Sequence, residues 1–476
     1  MKHTDAIVNT QADGKPGASQ GTWLRRRSYS LGSRYLRLFR ADLADIYERD
    51  LRKWLVVGPI VGVVTGLAVT AIAVIILREL WPAVLGCYLH HPWTIVPGLV
   101  LGFVVTGLIM QFFTPDPNEH STEEVIRSYH EHEGKIDVRW FLPKIAAAIA
   151  TVGFGGSAAL EGPSIYAGGA IGSWLWAHLR RFRLTQRERR IMLICGAAAG
   201  MSAVFRAPLT GIVFALEMPY RDDLAHEALV PSLIASVTAF LTLSAFLGAA
   251  PLFDFTGSLS YARTDIYWSA LLGLLAGLAA MLFVTIFRRV RTFCVNWRAP
   301  HWIKLAAGGL LTGLCGWIFL DLFPGTLVPL GPNYEAVGAI LNQHHSSVEL
   351  AVFSIFKLAA TLFSLGAGGV SAMFVPLFLT GGCLGTAFAQ SIAHSPALGL
   401  YAAVGMASFI AAGYKTPLTA VVFVAEATGG HAFIVPSLIG AAVAYAVSGD
   451  ASASADQRLH EGAKVQPVAE CPPGPN

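Results

Sequence analysis

The feature that most constrains this chain is a series of long apolar runs. They cover residues 54–77, 93–113, 227–248, 264–288, 302–320 and 431–448, and about 20 apolar residues are enough for an α-helix to cross a bilayer. Charged residues make up only 13% of the chain, against about 25% in soluble domains. The sequence therefore predicts an all-α polytopic membrane protein, and it excludes a soluble enzyme, a disordered chain and a coiled coil.

Shorter apolar segments lie between these runs, and many of them begin or end at Gly or Pro. They cover residues 121–132, 139–151, 161–178, 190–203, 208–219, 332–343, 350–364, 372–391, 398–412, 416–427 and 452–460. Interrupted helices at membrane depth are tolerated only where protein or a water-filled cavity surrounds them. The pattern predicts a transport protein rather than a simple bundle.

Charge is distributed unevenly along the chain. Residues 1–53 hold 11 Lys and Arg but only 6 Asp and Glu, which favours a cytoplasmic N-terminus near anionic lipid over nucleic-acid binding. Residues 1–33 are predicted to be a disordered arm, and residues 34–53 an amphipathic helix that lies in the interface or packs against the membrane domain. Basic residues in 180–190 and 288–304 also indicate the cytoplasmic side, and 461–476 a short cytoplasmic tail.

The two halves of the membrane region, residues 54–248 and 264–460, contain matching segments. ALEGPSIYAGGAIG at 159–172 matches AMFVPLFLTGGCLG at 372–385, and APLTGIVFALEM at 207–218 matches TPLTAVVFVAEA at 416–427. Repeats built from discontinuous helices are typical of transporters, with the substrate site near the midplane between them. The residues alone leave open whether the repeat is parallel or inverted.

The first matched pair predicts an anion site. Pro163 and Pro376 mark helix starts inside the membrane, because proline is favoured in the first turn of a helix. Each helix start presents unpaired N–H groups and a partial positive charge. Two such ends related by the repeat would converge and hold an anion without Lys or Arg.

Glu161 lies in the first of these helix starts, where the second half has Phe374. A carboxylate within the membrane is by default a candidate functional residue. When ionised it can occupy the anion site itself, and when protonated it can move away. The alternative is a carboxylate that serves only as a partner of the helix dipole.

These residues resemble the CLC family of chloride channels and proton/chloride antiporters over about residues 50–460. The gating-glutamate motif Gly-Arg-Glu-Gly-Pro appears as 159-ALEGP-163, Gly-x-Phe-x-Pro as 372-AMFVP-376, and the GAAAG…FNAPL stretch as 196-GAAAG-200 with 205-FRAPL-209. The resemblance implies a prokaryotic-type member without CBS domains, with an inverted repeat of about 17–18 helices.

The same resemblance implies what the protein transports and how. It implies a homodimer in the bacterial inner membrane, with one pathway for chloride-like anions in each subunit and no cofactor or metal. Glu161 is expected to be the external gate and proton acceptor, and Gly162, Met373, Phe374 and Val375 are expected to line the anion site. Proton-coupled transport, passive transport and an uncoupled channel all remain open.

Several positions depart from the family pattern. The family segment whose Ser binds the central anion aligns with 119-EHSTE-123. Depending on the alignment, His120, Ser121 or neither residue faces the ion. The spacing of Ser121 and Glu124 also predicts a capping box at a helix start. The family's central Tyr falls near Ser454, and its inner glutamate falls at Met218, beside Glu217. Loss of these groups predicts weaker or less chloride-selective anion binding and altered or absent proton coupling. Because Met218 cannot carry a proton, Glu217, His120 or water would have to carry it on the inner side.

Other functional classes are weaker alternatives. Secondary transport of an organic anion would use the same half-helices. An intramembrane serine protease based on Ser157 would need a neighbouring His, and no obvious spanning run contains one. The six Cys are scattered without CxxC spacing, and His130-Glu131-His132 has the wrong spacing for a helical metal site.

Overall fold

The structure is a computed structural model that describes residues 51–179, 184–250, 253, 262–332, 334, 337–338, 345–429, 431–454 and 456–460. The chain divides into two compact units, Met1–Lys53 and Trp54–Asn476. The predicted disordered arm, nearly all of the predicted amphipathic helix and the predicted tail lie outside the described residues. Apart from residues 51–53, the described residues belong to the second unit.

The first half of the membrane region is entirely helical in the part that the structure describes. Its helices are α1 (Leu51–His90), α2 (Ile95–Phe113), α3 (Ser121–Glu131), α4 (Phe141–Gly153), α5 (Glu161–His178), α6 (Gln186–Phe205), α7 (Pro208–Glu217) and α8 (Leu229–Leu247). Helix α1 contains a π-helical stretch at Val74–Leu80.

The second half is built in the same way. Its described helices are α9 (Arg263–Asn296), α10 (His301–Leu322), α11 (Ser347–Gly366), α12 (Phe374–Phe388), α13 (Leu398–Tyr414), α14 (Pro417–Thr428) and α15 (Ile434–Val447). These elements confirm the prediction of an all-α polytopic membrane protein with many short helices.

Seven helical segments among the described residues are long and apolar enough to cross a bilayer: Leu51–His90, Pro92–Phe113, His226–Leu247, Arg263–Asn296, His301–Leu322, Ser347–Gly366 and Phe374–Ala393. Ser347–Gly366 is longer than the segment predicted at 350–364, whereas Phe374–Ala393 is as long as the segment predicted at 372–391. The run at 431–448 instead forms the 14-residue helix α15, because a 3₁₀ turn at His431–Phe433 precedes it. Residues 452–454 and 456–460 are not helical.

The predicted repeat is present as a set of reciprocal contacts. Gly156 N–H donates to Thr151 O, and 213 residues later Gly369 N–H donates to Ser364 O. The side chains of Thr151 and Ser364 each accept a backbone N–H from the other half. Thr151 Oγ1 accepts from Val370 N–H at 3.2 Å, and Ser364 Oγ accepts from Ser157 N–H at 3.0 Å. Each half therefore closes the turn of the other, as an approximate two-fold relation requires.

Glycine allows very close helix packing around this region. A Cβ atom on Gly168 of α5 would lie 1.9 Å from the Gly196 carbonyl oxygen of α6. In the second half, a Cβ on Gly381 of α12 would lie 2.4 Å from the Gly405 oxygen of α13. Membrane helices associate through such small residues, and these contacts fix the two helices that begin at the predicted anion site.

Candidate anion-binding site

The two predicted helix starts meet in the middle of the structure. Ala159 N–H donates to Ala372 O at 3.1 Å across the repeat. A Cβ atom on Gly162 would lie 2.8 Å from the Ser371 carbonyl carbon, so only glycine permits this approach. The structure thus brings Glu161, Gly162, Met373, Phe374 and Val375 together, as predicted.

The Glu161 side chain lies against the first turn of helix α12. It is 1% exposed, and its Oε1 atom accepts from the Phe374 N–H at 2.6 Å. Its Oε2 atom has no hydrogen-bond partner among the described residues. One carboxylate oxygen therefore takes an N–H group that an anion at this helix end would take.

Aromatic rings enclose this contact. The Phe374 ring lies 5.0 Å from the Phe423 ring and 5.5 Å from the Phe205 ring, measured between centroids. All three side chains are completely buried. The low polarity of this wall strengthens electrostatic interactions between the helix end and a negative group beside it.

Tyr414 is a member of the site that the sequence analysis missed. Its hydroxyl oxygen accepts from the Met373 N–H at 2.9 Å, and its ring lies 5.8 Å from that of Phe374. Because the backbone N–H occupies the oxygen, the hydroxyl proton remains available to an acceptor. The repeat contained a signal for it, since Tyr414 stands 209 residues after Phe205, which also contacts Phe374.

A cavity of about 50 Å³ lies beside Met373, and it is called the central cavity below. Its lining includes the positions at which the sequence departs from the family pattern, namely His120, Ser121 and Ser454. It also includes the Tyr414 side chain. The space is large enough for water molecules or a small ion, and a tyrosine hydroxyl faces it although the family's own tyrosine position holds Ser454.

His120 and Ser121 both line the central cavity. Either residue can therefore face an ion there, whichever of them aligns with the family's Ser.

The predicted capping box of Ser121 and Glu124 is wrong. Ser121 has a left-handed backbone (φ 60°), and its side chain does not cap helix α3. Glu124 instead forms a buried ion pair with Lys144 at 2.5 Å, because a buried cation needs a charged partner.

Ser454 reaches the cavity from a non-helical segment that follows helix α15. Ala453 N–H donates to Gly413 O at 2.7 Å. The Gln457 amide donates to the Met218 and Tyr414 carbonyl oxygens, both at 3.1 Å. Backbone and amide contacts therefore hold this segment against the ends of α7 and α13.

Glu217 and Glu426 are related by the repeat, and each caps a helix in the other half. The Glu217 oxygens accept from Leu418 N–H at 3.0 Å and Thr419 N–H at 2.8 Å, at the start of α14. The Glu426 oxygens accept from Leu209 N–H at 2.9 Å and Thr210 N–H at 2.7 Å, at the start of α7. These carboxylates satisfy helix ends that would otherwise be unpaired.

Two further candidates from the sequence lie in apolar or structural surroundings. Met218 is 1% exposed and carries no titratable group. The Ser157 Oγ atom lies 2.9 Å from Thr361 Oγ1, a hydroxyl partner that provides no general base for a protease.

Comparison with known proteins agrees with this geometry. The family model described as "Voltage gated chloride channel" matches residues 101–449, which is well over half of the chain. The chain belongs to this family.

Two curated relatives align with most of this chain. It is 31% identical to an H(+)/Cl(-) exchange transporter, ClcA, of Yersinia pestis bv. Antiqua (strain Angola), covering 71% of this chain and 73% of that protein. It is 27% identical to a putative chloride channel protein, ClcB-like, of Ralstonia nicotianae, covering 74% of this chain and 82% of that protein.

Solved structures show the same fold. A CLC-type fluoride/proton antiporter has a TM-score of 0.74 at 23% identity, covering 86% of this chain and 98% of that one. A slow cyanobacterial Cl⁻/H⁺ antiporter has a TM-score of 0.71 at 24% identity, covering 83% and 94%. The fold is therefore the CLC fold with its inverted repeat, and the chain is a multi-pass membrane protein.

Proposed function

We propose that this protein transports chloride-like inorganic anions across the membrane, coupled to protons, with Glu161 as the protonatable gate. The observation that carries the proposal is the contact between Glu161 Oε1 and the Phe374 N–H. An ionised carboxylate there competes with the anion for the helix end. Protonation removes the charge that holds it, and the anion then takes its place.

Anion flux from vesicles that contain the purified protein tests this proposal. We expect flux in the wild type to rise as pH falls, because the protonated gate leaves the site. Glu161→Gln should pass anions with little dependence on pH. Glu426→Gln is a matched control, since it removes a partly buried carboxylate of the same domain whose hydrogen bonds cap α7. An unchanged pH profile in Glu161→Gln would remove Glu161 from this role.

The inner part of the proton route is proposed to run through Glu123 rather than through Glu217 or Met218. Both Glu217 oxygens accept from the start of α14, and Met218 cannot carry a proton. Glu123 lies in the first turn of α3 and lines the central cavity together with Tyr414. That shared lining supports a role for Glu123 beside the anion site.

An uncoupled channel is the second candidate. The observation that favours it is the buried Met218 at the position of the family's inner glutamate. Measuring proton movement together with anion flux separates the two functions. Uphill proton movement driven by an anion gradient supports coupling, and anion flux with no proton movement supports the channel.

The remaining assignments concern where and how the protein works. We propose that chloride is a substrate, that two copies form a homodimer with one pathway each, and that the protein resides in the bacterial inner membrane with its N-terminus in the cytoplasm. The H(+)/Cl(-) exchange transporter of Yersinia supports the substrate, and the basic N-terminal residues support the orientation. Cross-linking in membranes tests the dimer, and protease access to the N-terminus tests the orientation.

A further inference from the structure

An arginine reaches the central cavity from a helix outside the two matched motifs. Arg291 lies five residues before Asn296, the last residue of helix α9, and it lines the cavity. A helix of this length spans about 50 Å, which exceeds the roughly 30 Å hydrocarbon core. Arg291 therefore lies near the C-terminal end of a helix that is longer than the hydrocarbon core is thick.

Protein acceptors hold the Arg291 guanidinium in place but do not saturate it. Its Nη2 atom donates to Asn118 O at 3.0 Å and lies 3.4 Å from His120 Nε2, and its Nη1 atom donates to Leu365 O at 3.4 Å. A guanidinium has five N–H donors. Two of them remain without a protein acceptor in the described part of the chain.

The imidazole contact also fixes the role of His120. A guanidinium can only donate, so His120 Nε2 is the acceptor and the neutral ring carries its proton on Nδ1. The Nδ1 atom lies 3.4 Å from Ser121 Oγ, and both residues line the central cavity. Arg291 therefore orients a second N–H donor on the same cavity wall.

The direct hydrogen-bond partners of the Arg291 guanidinium within the described residues are all uncharged. Its three protein acceptors are two backbone carbonyls and an imidazole, and none of them is negative. Glu123 lines the same cavity but makes no ion pair with Arg291 in the described structure. The Glu123 carboxylate therefore attracts Arg291 without a direct contact, and it does not occupy the remaining N–H donors of the guanidinium.

We propose that Arg291 is a direct ligand of the transported anion in the central cavity, so that this chain adds a full positive charge to a site otherwise built from uncharged donors. The inference rests on the proposed transport function, and it differs from the expectation that no Lys or Arg takes part. The N–H groups of a guanidinium match two oxygens of one anion. The site therefore takes planar oxyanions such as nitrate at least as well as chloride.

Isothermal titration of chloride and of nitrate into the purified, detergent-solubilised protein tests this assignment. Arg291→Gln should weaken the binding of both anions by about tenfold or more, as expected for the loss of a charge-assisted hydrogen bond. Arg291→Lys keeps the charge but not the planar fork, so it should retain chloride binding better than nitrate binding. Arg289→Gln is the matched control, because it removes the same charge from an exposed position of the same helix.

The outcomes separate this inference from the proposed function. If Arg291→Gln and Arg289→Gln bind both anions equally well, Arg291 only joins the Asn118 loop to the end of α11, and the inference fails. If Arg291→Gln does not fold, the comparison of Arg291→Lys with the wild type decides, and an unchanged ratio of nitrate to chloride affinity overturns the assignment. Absence of any anion flux in the wild type would instead overturn the transport function.

Discussion

Glu161 and Phe374 stand 213 residues apart, in opposite halves of the repeat, and the Glu161 carboxylate accepts the Phe374 backbone N–H at 2.6 Å. The first helix start thus supplies the negative group, and the second supplies the N–H donor. A negative side chain and a mobile anion cannot use the same donor at once. The testable consequences begin with this competition.

Removal of the Glu161 carboxylate should increase the anion affinity of the site. Glu161→Ala leaves the Phe374 N–H without its present acceptor, so an added chloride ion no longer has to displace a carboxylate. We expect chloride to bind several-fold more tightly to Glu161→Ala than to the wild type at neutral pH, as measured by isothermal titration. Weaker binding in Glu161→Ala would show that the carboxylate does not compete for this position.

Tyr414→Phe should weaken both anion binding and stability. The change removes the acceptor of the buried Met373 N–H and the hydroxyl that faces the central cavity. An unsatisfied buried donor costs about 1–3 kcal/mol, and loss of a donor to an anion reduces affinity by about tenfold. Thermal unfolding and chloride titration measure the two effects.

Tyr401→Phe is the control for Tyr414→Phe. The Tyr401 hydroxyl is also buried, but it donates to Asp265 Oδ1 at 2.7 Å, and Tyr401 does not line the central cavity. It should lower stability without changing chloride affinity. Equal chloride affinities in the two variants would contradict the role of Tyr414.

Glu217→Gln and Glu426→Gln should lower stability by similar amounts. Each carboxylate accepts two backbone N–H groups at the start of a helix in the other half. Hydrogen bonds to a charged acceptor contribute about 1.5–3 kcal/mol each. Thermal unfolding in detergent measures the effect, and a change in proton flux for Glu217→Gln alone would indicate that Glu217 also carries protons.

Glu123→Gln should reduce proton movement while anion flux continues. An amide keeps the size of the side chain but cannot accept a proton, and Glu123 is the carboxylate on the wall of the central cavity. Parallel recordings of proton and chloride movement from the same vesicles measure the ratio of the two fluxes.

Glu119→Gln serves as the control for Glu123→Gln. Glu119 precedes the same helix and pairs with Arg127 at 3.4 Å, and the pocket lining does not include it. The ratio of proton to anion flux should be normal in this variant. An unchanged ratio in Glu123→Gln would assign the inner proton step to another group.

Local sequence patterns were sufficient for the membrane class and for the two helix starts. Apolar length predicts spanning helices, and a proline in the first turn marks where a helix begins. Matching segments at 159–172 and 372–385 predicted that Glu161 and Phe374 would belong to one site. The membrane class is confirmed, and Glu161 and Phe374 are in contact, because length, proline and repetition act through the chain itself.

Contacts between residues far apart in sequence explain where the local patterns misled the predictions. Ser121 and Glu124 have the spacing of a capping box, but Lys144 from helix α4 takes the carboxylate. Glu217 resembles a proton carrier in sequence, yet α14 occupies both of its oxygens. In each case the competing partner lies outside the local motif.

The sequence by itself determined that the chain is a duplicated membrane protein with a carboxylate at the start of a broken helix, because hydrophobic length and helix-end chemistry are local properties. Only the tertiary structure decided which side chains lie around the candidate anion site. Tyr414 and Arg291 lie 41 and 74 residues from Met373 and Leu365, the residues they contact. The packing of helices α9, α11 and α13 brings these residues together. The spacing of residues within a single segment cannot predict such packing between distant helices.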